Sequence, residues 1–159
     1  MIIISDLGGV FVHVTLQPIT KLFRDAYGDR YAMDFPFSKV AEAVREFEVG
    51  KCGIVNVACA ASDHGARIMT ADLIAAWCAK IPHVHKDVVR LYTVQRALGT
   101  RVVAMSNTND IHMNHMWREF RPEMSTFDAV YTSCEMGVAK PDREAFQMVF
   151  DSEREHDHD

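Results

Sequence analysis

The chain has 159 residues, 48% of them hydrophobic and 25% charged, which gives about one domain with room for a real core and excludes disorder and collagen-like repeats. Seventeen basic residues against twenty-two acidic give a formal charge of −5, and without a basic stripe to neutralise phosphates a nucleic-acid partner is excluded. No apolar run approaches the ~18 residues of a membrane span and no basic-then-apolar leader opens the chain, so the expected setting is the cytoplasm, with no membrane partner.

The four cysteines, Cys52, Cys59, Cys78 and Cys134, are spread out and form no Cys-x-x-Cys pair. They read as reduced thiols packed as small hydrophobes. Met1-Ile2-Ile3-Ile4-Ser5 is a β-branched run without alternation, which predicts a strand buried on both faces of a parallel sheet. It stops at Asp6-Leu7-Gly8-Gly9, where the glycines supply a sharp turn, and Val10–Val14 reads as a short flap or hairpin arm. From about Gln17 to Ala97 the pattern is helical. Ile19, Leu22, Phe23 and Ala26 share one face before Gly28, and Val40, Ala43, Val44 and Phe47 share another before Gly50. Thr70 is the expected N-cap of a helix through Leu73, Ile74 and Trp77. Val88, Leu91, Tyr92, Gln95 and Leu98 mark a further helix ending at Gly99.

Arg101–Met105 reads as a second buried strand, followed by a helix capped by Asp110 and running through Met116 and Phe120. Phe127–Thr132 is the third strand, 136–141 a loop, and Pro141 the start of a last helix through Ala145, Phe146, Val149 and Phe150. Alternating strands and helices predict an α/β fold with a parallel sheet. The expected organisation is a core of residues 1–15 and 85–150, a helical cap over 16–84, and a polar, disordered tail over 151–159. Trp77, Trp117 and the nine methionines read as core and cap packing.

Ligands of open α/β sheets bind at the carboxyl ends of strands. Asp6 and Ser106 stand at two such ends and Lys140 just beyond a third. A carboxylate, a hydroxyl and an ammonium converging on one crevice suit an anionic substrate and covalent catalysis by the carboxylate. The residues that carry this pattern also resemble a known family. Ile3-Ile4-Ser5-Asp6-Leu7-Gly8-Gly9-Val10 is similar to the first motif of the haloacid dehalogenase-like (HAD) hydrolases, Ser106-Asn107-Thr108-Asn109 to the second, and Gly137-Val138-Ala139-Lys140-Pro141 to the third. The likeness is greatest to the branch containing the bacterial α-D-glucose-1-phosphatase and extends to about Phe150.

The resemblance implies a three-layer Rossmann-like core with an inserted cap, and Mg²⁺-dependent hydrolysis of a small phosphorylated metabolite. Asp6 would attack phosphorus and ligate Mg²⁺ together with the Gly8 carbonyl. Ser106 would hydrogen-bond a phosphoryl oxygen, Asn107 would help position the substrate, and Lys140 would hold Asp6. Two departures accompany the likeness. The family's usual acid, two residues after the nucleophile, is Gly8 here, which tilts the expected substrate towards a sugar 1-phosphate with a more reactive leaving group; His13 is a candidate substitute acid. The family's fourth, acidic motif and its strand have no counterpart in Asp151–Asp159, so the sheet is expected to be truncated at the C-terminus. The first strand would then be an open edge, covered by a second copy of the chain in a homodimer. The competing expectation is a truncated, catalytically inactive homologue that acts as a binding or regulatory protein.

The remaining histidines read as non-functional. His112 and His115 lie one helical turn apart and His83 and His85 alternate, but neither pair has a clear third ligand, so all four are expected at the surface. His156, Asp157, His158 and Asp159 read as a frayed polar terminus rather than a cation site.

Overall fold

A computed structural model describes residues 1–62 and 65–156. Among these residues the sheet has three parallel strands, β1 (Ile2–Ser5), β2 (Arg101–Ser106) and β3 (Ala129–Thr132), side by side in that order. Ile2 pairs with Arg101 and Ser5 with Ala104; Val103 pairs with Ala129 and Ser106 with Thr132. The register therefore brings Ser5, Ser106 and Thr132 to the same end of the sheet.

Helices complete the chain. They are α1 (Gln17–Tyr27), α2 (Tyr31–Asp34), α3 (Phe37–Glu48), α4 (Ile54–Ala60), α5 (Thr70–Cys78) and α6 (Lys86–Ala97), all between β1 and β2. Then come α7 (Asp110–Glu119) and α8 (Arg121–Met124) before β3, and α9 (Ser133–Met136) and α10 (Arg143–His156) after it. The α/β class and the inserted helical segment follow the sequence pattern.

The central strand β2 is apolar on both faces, and both are covered. Val102 and Ala104 join Leu7, Phe11, Tyr92, Met116 and Phe127 in one cluster; Met105 joins Ala145 and Val149 of α10 in another. That makes three layers, helix on sheet on helix. A separate cluster, with Phe23, Tyr27, Phe35, Phe47, Val57, Leu73 and Trp77, packs the helices of the insert against one another.

Several expectations are corrected. β1 is not buried on both faces: Ile3 packs on the Tyr92 side, whereas Ile2 and Ile4 are 42% and 36% exposed, because α10 reaches over β2 and β3 but leaves β1 open. Along α6, Tyr92 is buried while Leu91 and, just past the helix end, Leu98 are exposed; the apolar stripe is wider than the face that meets the sheet. Trp117 is also partly exposed, at 40%. Helix α7 is capped by Asn109, not Asp110: Asn109 has extended backbone and its Oδ1 accepts from the His112 N–H at 3.1 Å, the geometry an N-cap requires. Thr70 is the first residue of α5 and not its cap.

The last helix starts at Arg143, two residues past Pro141, which follows a cis peptide. It also continues through Asp151–His156 where a disordered tail was expected. The reason is Glu153, 6% exposed, whose carboxylate takes hydrogen bonds from the Arg101 guanidinium and from the Tyr131 hydroxyl, the latter at 2.6 Å. A buried carboxylate needs such partners, and these are supplied by β2 and β3. Asp157, His158 and Asp159, part of the proposed polar terminus, lie outside the described residues.

Candidate active site

Asp6 follows β1 directly. Its Oδ1 accepts from the Leu7 N–H at 2.7 Å and its Oδ2 lies 3.0 Å from Lys140 Nζ. The Lys140 ammonium also donates to the Met105 carbonyl at 2.8 Å, so it is anchored to β2 before it meets the carboxylate. Beneath the pair, Tyr92 donates to the Ser5 hydroxyl, which donates to the Asp6 carbonyl. The Asp6 side chain remains 43% exposed and Lys140 22%. A charge-assisted contact fixes the carboxylate without closing it off.

Asn107 stands at the end of β2 and holds the backbone of Lys140 from both sides. Its Nδ2 donates to the Lys140 carbonyl and its Oδ1 accepts the Lys140 N–H, each at 2.8 Å. The amide expected to position a substrate is thus engaged in positioning Lys140. Behind it, the Thr108 N–H donates to the buried Ser133 hydroxyl at 2.9 Å, and Ser133 is bonded to the Glu48 carbonyl, joining the β2 loop, α9 and the end of α3.

Gly8, Ser106 and Asn107 line a cavity of about 340 Å³. Ser106 is 4% exposed. The same cavity is lined by Glu48 and Lys80, from the helical insert, and by His112; no sequence pattern points to Glu48 or Lys80, because only the fold brings residues 48 and 80 into one cavity with residues 8 and 106. Burial pulls the Lys80 ammonium below its usual range against the opposing pull of Glu48, and burial pushes the Glu48 carboxyl up against Lys80. The Lys80 Nζ sits 4.6 Å over the Trp77 ring, a cation–π contact.

The histidines fall differently from expectation. Val12 and Val14 line the cavity, so the period of two along this arm turns His13 away, where it stacks on His83 at 4.9 Å; His13 is not among the cavity's lining residues and is set aside as the substitute acid. His112 is buried, not exposed. Its Nε2 lies 3.0 Å from the Trp77 carbonyl, which can only accept, so Nε2 carries the proton. Burial, and then the Lys80 charge, push its pKa down to about 3, with the Trp77 bond opposing. His115, half-buried, makes the same kind of contact to the Ile81 carbonyl at 3.2 Å.

As an oxygen donor for a cation the site offers the Asp6 carboxylate, and among the described residues no group of three or more His, Cys, Asp or Glu gathers to hold a metal. So lean a set fits Mg²⁺, which keeps several waters and takes one or two carboxylates plus substrate phosphate, better than metals that require a full protein cage.

No protein-family model matches the chain. Its fold does match solved structures. An HAD family enzyme of Bacteroides thetaiotaomicron, BT-2542, superposes with a TM-score of 0.79 at 22% identity, covering 95% of this chain and 76% of that one; the same enzyme has been solved in complex with magnesium and inorganic phosphate. A predicted HAD-like family hydrolase of Porphyromonas gingivalis gives 0.73 at 23% identity, covering 95% and 75%. L-2-haloacid dehalogenase of Xanthobacter autotrophicus gives 0.60 at 15% identity, covering 95% and 64%. The chain has the Rossmann-like α/β fold of HAD enzymes.

Proposed function

We propose that this chain is a Mg²⁺-dependent phosphatase of small phosphate monoesters, including sugar phosphates, with Asp6 as nucleophile. The observation that carries this reading is the Asp6 carboxylate, fixed by Lys140 at 3.0 Å yet 43% exposed, two residues before Gly8, which lines the neighbouring cavity with Ser106. An Asp6 oxygen attacks phosphorus, the ester P–O bond breaks, and the leaving oxygen departs with its electron pair and takes a proton from solvent water. Water then cleaves the aspartyl-phosphate and returns Asp6. The Ser106 hydroxyl donates to a phosphoryl oxygen, and Lys140 offsets the charge on the transferring group; such transfer is mostly positioning and electrostatics. Asp6 and the Gly8 carbonyl would hold Mg²⁺, which when bound would supply further positive charge against the phosphoryl oxygens. Residues 16–84 serve as a cap that closes the site from above, and the open β1 edge, with Met1, Ile2 and Ile4 exposed along it, seats a second copy of the chain.

A second reading, an inactive homologue that binds a ligand or partner, is favoured by the lack, among the described residues, of any group of three or more His, Cys, Asp or Glu that could hold a metal. Hydrolysis of p-nitrophenyl phosphate and glucose 1-phosphate, with and without Mg²⁺ and beside Asp6→Asn, separates the two. The phosphatase reading expects Mg²⁺-dependent turnover that falls at least ~10³-fold in Asp6→Asn, and a melting temperature raised by millimolar Mg²⁺ in the wild type. Folded protein without turnover moves the conclusion to the inactive homologue.

A further inference from the structure

Asp6, Ser106 and Lys140 account for the phosphate, but two charged residues that share the cavity with Gly8 and Ser106 have no role in that chemistry. Glu48 ends α3, and Lys80 follows α5; both line the cavity together with Gly8 and Ser106. Their backbones are pinned. The Glu48 carbonyl takes the Ser133 hydroxyl, and the Lys80 carbonyl takes the Thr15 N–H at 2.9 Å. Their head groups are not: apart from the Trp77 ring beneath Lys80, neither side chain is taken up by a hydrogen bond or contact ion pair among the described residues.

Resting on the phosphatase reading, we infer that Lys80 and Glu48 form the leaving-group subsite, and that this subsite selects a neutral, polyhydroxylated alcohol such as a sugar or polyol. The inference follows from charge and hydrogen-bond capacity. Lys80 offers only donors and Glu48, when ionised, only acceptors, whereas a hydroxyl both donates and accepts and can bridge them. A leaving group with a carboxylate or second phosphate would face Glu48, and one with an ammonium would face Lys80. An apolar leaving group would strand two partly desolvated polar groups without partners, which is the larger penalty when a site is built for hydroxyls. The direction of both protonation shifts, each set by burial and opposed by the other's charge, agrees with a half-buried pair that is partly shielded from water. Val12, Val14 and Met116 line the rest of the cavity and suit the C–H faces of a sugar ring.

The test compares Lys80→Met and the near-isosteric Glu48→Gln with wild type on two substrate classes. Glucose 1-phosphate, glucose 6-phosphate and glycerol 3-phosphate carry hydroxyls; p-nitrophenyl phosphate carries none. For the best hydroxylated substrate, each variant is expected to lower kcat/KM by ~10–100-fold, chiefly through KM, while p-nitrophenyl phosphate changes less than ~3-fold. Equal losses on both classes, or no loss on either, overturn the subsite, as does a wild-type enzyme that turns over p-nitrophenyl phosphate but none of the hydroxylated esters. Each of these outcomes leaves the phosphatase reading standing. A wild type that turns over nothing fails that reading instead, and the subsite with it. Should Lys80→Met not fold, Glu48→Gln carries the comparison alone.

Discussion

His112 is a titratable group folded into a setting that refuses its charge, so it makes stability depend on acidity. Its pKa is about 3 when folded and 6.5 in an ordinary setting. The unfolded chain therefore binds the extra proton first, and the contribution of His112 is complete above pH 6.5 and is lost as pH falls from there towards 3. Each unit within that window removes about 1.4 kcal/mol at most. Thermal melts of the wild type beside His112→Gln are expected to diverge in slope between pH 6.5 and 5, with the wild type losing stability faster; parallel slopes would contradict the buried neutral imidazole. At this scale Asp6, Ser106 and Lys140 are legible in the sequence, since a strand followed by a polar turn puts them at one sheet end. Asn107 is legible as a site residue but not in its contact: that its amide grips Lys140 depends on two loops meeting. His112 and Glu153 are misread for a common reason. A polar residue is judged exposed until a partner is known, and the Trp77 carbonyl and the Arg101 guanidinium come from distant segments.

Among elements, the junction of α3 with α9 brings main chain into close approach. Gly50, two residues past α3, has φ of +71°, and a Cβ built there would stand 2.5 Å from the Cys134 carbonyl oxygen. Left-handed backbone alone disfavours a side chain, and here the obstacle is main chain, which cannot rotate away. Gly50→Ala is expected to cost about 2–4 kcal/mol and to lower the melting temperature by ~5–12 °C, with Gly99→Ala, whose added Cβ meets nothing within 4 Å, losing markedly less. The same junction carries the Ser133–Glu48 bond, so the strain of Gly50→Ala should also raise KM for a hydroxylated substrate. Helix α10 shows the limit of reading elements from pattern: its apolar positions end at Phe150, but the carboxylate of Glu153 extends it by bonding to the strands below.

For the whole molecule, the order β1-β2-β3 leaves β1 with one lateral edge unpaired among the described residues. Unpaired apolar edges invite another strand. The proposed second copy is tested by sedimentation at micromolar concentration, where a dimer is expected and Ile2→Lys with Ile4→Lys should shift it to monomer; a stable wild-type monomer would sink the pairing. Fold class is legible because the apolar runs, the glycines and the polar strand ends agree with one another. The uncovered side of β1 is not, because four apolar residues in a row look alike whether one face or two is covered.

The way the chain passes from sheet to helices and back has a wider consequence. The His13 N–H bonds to the His83 carbonyl and the Thr15 N–H to that of Lys80, each at 2.9 Å, while the His85 N–H bonds back to Phe11 at 2.8 Å. Departure and return thus happen side by side, and the separation of the two anchor points is set by the ribbon and not by what hangs from it. The cost of closing a loop between fixed ends grows only logarithmically with its length. Residues between these anchors can lengthen, shorten or be exchanged with little effect on how β1 finds β2, so the helical insert can vary while Asp6, Ser106 and Lys140 keep their places.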